Sequence, residues 1–308
     1  MSRLVAVTGG TGFVGSHLLP TLARHGWRLR LLVRRWSPLP SLAGVDAELV
    51  FGDLANEAAL RQLVAGADAV IHAAGAIKAR RPEDFMEVNR DGTARLAALA
   101  GDMPLLLLSS LAAREPSLSS YAASKRAGEE VLAGRRGSWL AVRAPAVFGP
   151  GDRETLAYFK PAARGFALGP KLSEARLAMI HVADLTEALA LALDRQPPSG
   201  VYEIDDGKAA GYSHADMAAA AAAALGRKVR LVQIARWQIM PVAEVNALRN
   251  SLGGSVQILT PRKVAEIFHP DWTVHDRRLA AAIGFVPRYD LEATFADSIS
   301  WYRARHWL

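Results

Sequence analysis

Residues 7–15 read Val7-Thr8-Gly9-Gly10-Thr11-Gly12-Phe13-Val14-Gly15, and they constrain the fold more than any other stretch of the chain. A short apolar run, Leu4–Val7, leads in, and an amphipathic run from Phe13 to Ala23 leads out. Strand, glycine turn and helix in that order form the setting in which such spacing holds a dinucleotide. Gly10, Gly12 and Gly15 fit Gly-x-Gly-x-x-Gly, and Gly9, Gly12 and Gly15 fit Gly-x-x-Gly-x-x-Gly. Either way one glycine makes the tight turn, one admits the pyrophosphate to the backbone, and one lets helix and strand pack closely. The pyrophosphate then meets the positive end of the helix dipole, over Thr11, Gly12, Phe13 and Val14.

The first half alternates short apolar segments with helix-period segments. Strands are predicted at Leu4–Val7, Arg28–Val33, Glu48–Phe51, Ala69–His72, Leu105–Ser109 and Trp139–Ala144. Helices are predicted through His17–His25, Glu57–Ala65, Glu83–Ala100 and Tyr121–Leu132. Repeated βα units with continuously apolar strands imply an α/β fold, a Rossmann-type doubly wound parallel sheet with helices on both faces. The predicted dinucleotide-binding domain is 1–150, rejoined by about 183–205 through a helix at Asp184–Asp194 and a strand at Val201–Ile204. Residues 151–308 are expected to form a smaller, discontinuous and mostly helical cap. A helix is predicted over Glu154–Gly165, a short strand at Met179–Val182, helices from Tyr212 onward, and a less regular stretch over Val229–Thr260.

Composition removes several classes of function. There is no cysteine, so disulfides, zinc-thiolate sites and cysteine nucleophiles are excluded, and no metal site is expected. The net charge of +7 admits nucleic acid or anionic lipid as a partner. The arginines are scattered and no nucleic-acid module is visible, so some of the charge is assigned to an anionic cofactor or an anionic substrate. No apolar run is long enough to span a bilayer, so no membrane insertion is expected, and a cytoplasmic location follows as an expectation.

In such sheets ligands bind beyond the carboxyl ends of the strands. Strand two ends Val33-Arg34-Arg35. A dinucleotide fold that prefers NAD carries Asp or Glu there to hold the ribose 2′-OH. A guanidinium favours the 2′-phosphate, so Arg34, helped by Arg35 and Ser37, points to NADP in preference to NAD. Asp53, followed by Leu54, can accept from the adenine amino group or cap the next helix. Ala73, Ala74 and Gly75 leave room for the cofactor, and Ser109 and Ser110 end strand five at the same rim. Tyr121 and Lys125 stand at i and i+4 on one helix face. An ammonium beside a phenol lowers the phenol pKa, and a tuned tyrosine can exchange a proton with a carbonyl or alcohol during hydride transfer. Ser110 either orients the reacting oxygen or serves as a strand-end cap. In the cap, Asp184 reads as an N-cap, His181 as a packed or capping histidine, and Trp237, Trp272, Trp301 and Trp307 as core.

These motifs, together with Asn89-x-x-Gly92-Thr93, Tyr121-Ala122-Ala123-Ser124-Lys125, Val147-Phe148-Gly149-Pro150-Gly151 and Ile180-His181-Val182-Ala183-Asp184-Leu185, occur in the order of the extended short-chain dehydrogenases/reductases. The chain thus resembles that family, also called the NAD-dependent epimerase/dehydratase family, over nearly its whole length. The resemblance implies Tyr121 as catalytic acid/base, Lys125 as its pKa-lowering partner on the nicotinamide ribose, and Ser110 as stabiliser of the reacting oxygen. It implies Pro145 and Val147 beside the nicotinamide, a supporting role for Asn89, and a possible homodimer through helices 83–100 and 121–132. Two departures stand out: Ala144 rather than proline follows Arg143, and the loop between Ser110 and Tyr121 is short. The short loop resembles the branch that includes the NADPH-binding accessory subunit of respiratory complex I.

Three functions follow from these residues. The first is an NADP-preferring oxidoreductase acting on a carbonyl or secondary alcohol of a small-molecule substrate. The second is a sugar-nucleotide epimerase or dehydratase with tightly bound NAD. The third is a non-catalytic NADPH-binding scaffold.

Overall fold

The structure is a computed structural model that describes residues 3–36, 45–252 and 257–308. In chain order the elements begin β1 (Leu4–Thr8), α1 (Phe13–Arg24), β2 (Arg28–Val33), β3 (Ala47–Phe51), α2 (Glu57–Val64) and β4 (Ala69–His72). They continue with α3 (Pro82–Met86), α4 (Gly92–Ala100), β5 (Leu105–Ser110), α5 (Ser120–Ala133), β6 (Trp139–Ala144), β7 (Ala146–Phe148), α6 (Leu156–Ala163) and β8 (Phe166–Pro170). Then come β9 (Arg176–Leu177), β10 (Met179–His181), α7 (Val182–Arg195), β11 (Gly200–Glu203), α8 (His214–Leu225), β12 (Arg230–Ile234) and α9 (Arg236–Ser251). The last are α10 (Pro261–Ile267), β13 (Asp271–Trp272), α11 (Arg278–Ile283) and α12 (Leu291–Ala304).

Seven strands form one sheet in the order β11-β6-β5-β4-β1-β2-β3, with parallel pairing between β1 and both β2 and β4. All five residues of β1 and all four of β4 are buried. A central parallel strand is covered on both faces, which is why these strands read as unbroken apolar runs. On one face Leu60, Leu63, Leu96 and Leu132 from the helices meet Leu105 and Leu107 of β5. Complete burial of one such side chain contributes about 1.5–3 kcal/mol. β11 returns to the sheet edge and pairs with β6 in the register Val201↔Ala141.

The predicted helix over Glu83–Ala100 is a helical run with an internal change of pitch. Residues Glu87–Asp91 form a π turn between α3 and α4. Single π turns inside helices gather at functional sites. Asn89 sits in this one, and a Cβ on Gly128 of α5 would lie 2.6 Å from its carbonyl oxygen. Gly128 therefore lets α5 rest directly on the π turn.

The chain divides into two compact units. The first comprises the chain up to Arg143, with Thr186–Glu203 and Asp276–Phe285; the second comprises Ala144–Leu185, Ile204–His275 and Val286–Leu308. The sequence did not reveal that 276–285 belongs with the sheet. The second unit has its own core, in which Phe159, Phe295 and Tyr302 are fully buried. It also holds three parallel strand pairs, β7 with β10, β8 with β12, and β9 with β13. The stretch expected to be irregular, Val229–Thr260, contains β12 and the sixteen-residue α9.

Two expectations for the second unit need correction. Trp237 is 76% exposed and is not core. Trp272, Trp301 and Trp307 are partly buried, and Trp301 and Trp307 pack on the Phe159–Phe295 cluster. Asp184 is not an N-cap: α7 already starts at Val182, and the buried carboxylate accepts from the Arg288 and Tyr289 N–H groups at 2.8 and 2.9 Å. His181 is packed as expected, stacked 3.8 Å from the Tyr289 ring, with Nε2 3.1 Å from Asp297.

Candidate active site

The glycine turn lies between β1 and α1, and its geometry chooses between the two spacings. Gly9 has φ +78°, and a Cβ there would sit 2.5 Å from the Ala73 carbonyl carbon. A Cβ on Gly15 would land on the Gly9 carbonyl oxygen and 2.7 Å from Gly10 Cα. Gly10 meets nothing nearer than the flexible Leu19 side chain at 3.4 Å. The positions that exclude a side chain are therefore Gly9 and Gly15, and a Cβ on Gly12 would make only a tight 3.3 Å contact with the Gly9 carbonyl oxygen. Gly12 is the exposed N-cap of α1, its N–H donates to Gly9 O at 3.0 Å, and no side chain caps the first turn. That open helix start, over Thr11, Phe13 and Val14, suits the negatively charged oxygens of a pyrophosphate.

The neighbouring rim is set by a buried polar chain that sequence reasoning left without a role. Thr93 Oγ1 donates to Asn89 O at 2.6 Å, so it accepts from His72 Nε2 at 3.1 Å. His72 Nδ1 then accepts from Thr8 Oγ1 at 2.6 Å, and Thr8 Oγ1 in turn accepts from Ala74 N–H at 3.3 Å. Every member is satisfied only if His72 is neutral with its proton on Nε2. Complete burial, with the nearby Lys125 ammonium, pushes its pKa down to about 3, so it stays neutral. The Asn89 side chain adds a second tie: it accepts from Ala76 N–H at 2.8 Å and donates to Ala76 O at 3.0 Å and Ser124 Oγ at 2.8 Å. Ala73, Ala74 and Gly75 are thereby fixed between β1 and the π turn. The visible signal was a polar residue, His72, ending an otherwise apolar strand.

Arg34 and Arg35 follow the end of β2, both exposed. Neither makes a side-chain hydrogen bond or ion pair with any described residue. Ser37 lies outside the described residues. Asp53 accepts from the Ala55 and Asn56 N–H groups at 2.9 and 3.1 Å, forming the turn before α2. Asn56, not Asp53, is the N-cap of that helix. Leu54 fills the space over Gly92, where a Cβ would come within 2.8 Å of its Cδ1.

Beyond β5 the two serines part company. Ser109 is buried and donates to Glu129 Oε1 at 2.6 Å. Glu129 also accepts from Arg143 Nε and Nη2 at 2.9 and 2.7 Å. Arg143 continues to Glu203 at 3.6 Å, which faces Arg114 at 3.7 Å. The Ser109 side chain thus belongs to a buried ionic network, leaving its backbone for any contact with a cofactor. Ser110 caps the short 3₁₀ turn Leu111–Arg114 by accepting from Ala112 N–H at 3.2 Å. Accepting leaves its own O–H available as a donor.

On α5, Lys125 is buried and donates from Nζ to the Leu108 carbonyl at 2.7 Å. A Cβ on Gly75 would lie 3.4 Å from the same Nζ, so the ammonium sits under the Ala73–Gly75 loop. Burial pushes its pKa down to about 8, against the raising effect of the Glu129 carboxylate. Tyr121, one turn earlier, packs edge-on to Phe85 at 6.1 Å. Its turn is held by Ser119, which accepts from Ala122 N–H at 3.0 Å, and by Ser124, which donates to Tyr121 O at 2.7 Å. Glycine turn, fixed loop, Ser110, Tyr121 and Lys125 all belong to the first unit. Pro145 and Val147 belong to the second, where Val147 pairs with Ile180.

The family model for the NAD dependent epimerase/dehydratase family matches residues 5–205. The chain is 43% identical over 308 residues to the ceramide reductase of Caulobacter vibrioides, covering 99% of this chain and 96% of that protein. It is 28% identical over 229 residues to the 4-hydroxy-2-methyl-3-oxo-4-farnesyl-3,4-dihydroquinoline-1-oxide ketoreductase of Stigmatella aurantiaca, covering 65% and 67%. Its fold is shared by the UDP-glucose 4-epimerase of Bifidobacterium longum, solved with NAD+ and UDP, at 17% identity, TM-score 0.74 and 99% coverage of both chains. No helix among the described residues is long and apolar enough to cross a membrane. The chain belongs to the NAD-dependent epimerase/dehydratase family, the extended short-chain dehydrogenases/reductases, and is an oxidoreductase that uses a nicotinamide cofactor.

Proposed function

We propose that this oxidoreductase uses NADPH to reduce a ketone on a ceramide-type lipid. The observation that carries the chemistry is the Lys125 ammonium, buried one helical turn from Tyr121 and fixed on the Leu108 carbonyl. The substrate class rests on the whole-length likeness to the ceramide reductase. The glycine turn and the uncapped start of α1 hold the pyrophosphate, and Arg34 with Arg35 holds the 2′-phosphate. NADPH, when bound, supplies hydride to the carbonyl carbon. Tyr121 gives its phenolic proton to the carbonyl oxygen, Ser110 donates a hydrogen bond to that oxygen, and Lys125 stabilises the phenolate that forms. Pro145 and Val147 line the nicotinamide side in this reading, and the homodimer through Glu83–Ala100 and Tyr121–Leu132 belongs to it as well.

The test is loss of NADPH absorbance with a long-chain N-acyl amino ketone dispersed in detergent, beside a UDP-hexose as control. Turnover of the lipid alone supports the proposal. Turnover of the UDP-hexose, with NAD retained through purification, replaces it with an epimerase. Strong NADPH binding without turnover of either replaces it with a scaffold.

Two expected results follow. Arg34→Ala weakens NADPH binding by roughly 10–100-fold, the value of a charge-assisted contact, and leaves NADH binding unchanged. Fluorescence titration with both nucleotides reads this directly. The pH profile is set by Lys125. Its ammonium is present below about 8 and is lost above it. Because only the charged form stabilises the phenolate, the reduction rate falls as pH rises through about 8. The stability effect has the opposite sign. The native pKa lies below the ordinary lysine value of 10.5, so the unfolded chain binds more protons between the two values. The Lys125 contribution to stability therefore rises with pH across that window and is a constant penalty below it.

A further inference from the structure

Helix α9 in the second unit presents the wrong face to solvent. An ordinary surface helix turns its apolar stripe inward and its polar residues outward. At 3.6 residues per turn, Trp237, Pro241, Val245 and Leu248, with Leu252 at the C-cap, fall within an arc of about 80°. All five are exposed, Trp237 at 76% and Leu252 at 77%. The opposite side is buried at Ala243 and Asn250, and it is fastened by amides. Asn250 Nδ2 donates to Gln257 O at 2.9 Å, and Asn246 Nδ2 donates to Leu259 O at 3.0 Å. The helix is thus anchored through asparagines, and its continuous apolar stripe is left uncovered. Exposed apolar patches of this kind mark binding surfaces.

Charge identifies the occupant. Residues 227–263 contain seven Lys or Arg and one acidic residue, Glu244, an excess of six within a chain whose net charge is +7. Arg249 lies on one side of the stripe and Glu244 and Arg236 on the other, all three exposed, and neither arginine is ion-paired with a described residue. A helix with Trp and Leu on one face and cationic flanks lies in the headgroup region of an anionic bilayer. Indole in particular prefers that depth, because its ring is apolar and its N–H is polar. A protein partner of matching shape would meet the stripe equally well, but the surrounding excess of positive charge favours a surface that is negative over a broad area.

We propose that α9 docks the enzyme on anionic membranes, lying in the plane of the interface through Trp237, Val245, Leu248 and Leu252. The choice of a lipid surface rests in part on the proposed lipid substrate, which resides in such a surface; the apolar stripe and its charge do not depend on that reading.

The test is flotation of the purified full chain with vesicles of phosphatidylcholine alone or with about 30 mol% phosphatidylglycerol. Wild type is expected to float with the anionic vesicles, and less so at high salt. The triple variant Trp237→Ser, Leu248→Ser, Leu252→Ser should lose at least about tenfold in vesicle binding. Arg236→Gln with Arg249→Gln should lose binding to anionic vesicles only. All three serine substitutions are at exposed positions, and a melting curve matching wild type establishes that the variant is folded. Wild type that fails to float, or a triple variant that floats as well as wild type, overturns the proposal. So does a wild-type dimer that the triple variant converts to monomer without any flotation, because the stripe is then covered by a second copy. The kinetic arm separates this proposal from the substrate assignment. Equal rates for wild type and triple variant on micellar ketone, with a loss on vesicle-embedded ketone, support docking. Flotation without turnover of any lipid ketone overturns the substrate and leaves docking standing. Turnover in micelles without flotation overturns docking and leaves the substrate standing.

Discussion

Tyr121→Phe is expected to lower the reduction rate by about 10²–10⁴-fold, the usual contribution of a positioned general acid. NADPH affinity should be unchanged, because the phenyl ring still packs on Phe85 and the backbone of the turn is held by Ser119 and Ser124. Stopped-flow turnover and a fluorescence titration together read the two quantities. The companion variant Lys125→Met should also be slow, since no ammonium then offsets the phenolate. Lys125 acts through Tyr121, so the double variant should be no slower than the worse single one. Additive losses would mean that the two residues serve separate steps. Full activity in Tyr121→Phe would remove the tyrosine from the mechanism.

The second large effect is on stability. Glu129 is buried and meets three donors: the Ser109 hydroxyl and two guanidinium nitrogens of Arg143. Glu129→Leu removes both acceptor oxygens, and with them all three hydrogen bonds, and leaves Arg143 with only the longer approach to Glu203 at 3.6 Å. Breaking a buried pair from one side costs about 3–5 kcal/mol, because a charge is left buried without its partner. Urea unfolding of the variant measures this. Replacing both members, Glu129→Leu with Arg143→Met, should recover part of the loss, since no guanidinium is then stranded. A second readout ties the network to chemistry. The Glu129 carboxylate raises the Lys125 pKa against the effect of burial. In Glu129→Gln the pH at which the rate falls should therefore move below about 8. A profile that does not move would separate the ionic network from the site.

What was legible in the sequence follows from how locally each feature is determined. β2, β4 and β6 were predicted with the ends they have, because buried parallel strands are unbroken apolar runs closed by polar or small residues. The glycine turn and the Tyr121–Lys125 pair were legible for the same reason: their spacing within one turn or one helix is the signal. The Ser109 hydroxyl bond was not legible, because its partner, Glu129, stands 20 residues away. The Asp184 clamp on Arg288 and Tyr289 spans 104 and 105 residues. Helix α9 was missed because Pro241 reads as a helix breaker and two amides, Asn246 and Asn250, interrupt its inward-facing apolar period. Its strongest periodicity faces outward, which no rule based on a buried core detects. β10 was legible as the short strand Met179–Val182, whereas β7 and β9, of three and two residues, are too short to show alternation, and β7, β8 and β9 exist through pairing with distant segments.

The π turn at Glu87–Asp91 makes chain length itself a requirement at that point. It accommodates one residue more than an α-helix would over the same rise. Deleting Arg90 would let the helix run through with ordinary pitch, so its overall helicity would barely change. The helices on either side would keep nearly the same relation, because the extra residue is taken up within the π turn itself. The bulge that carries Asn89 would be gone, and its side chain could no longer hold Ala76 and Ser124 together. A substitution at Arg90, which is exposed, changes only a surface ion pair with Asp91. The same position is thus permissive toward identity and intolerant of a change in count, a distinction that a deletion scan of residues 87–91 would reveal and an alanine scan would not.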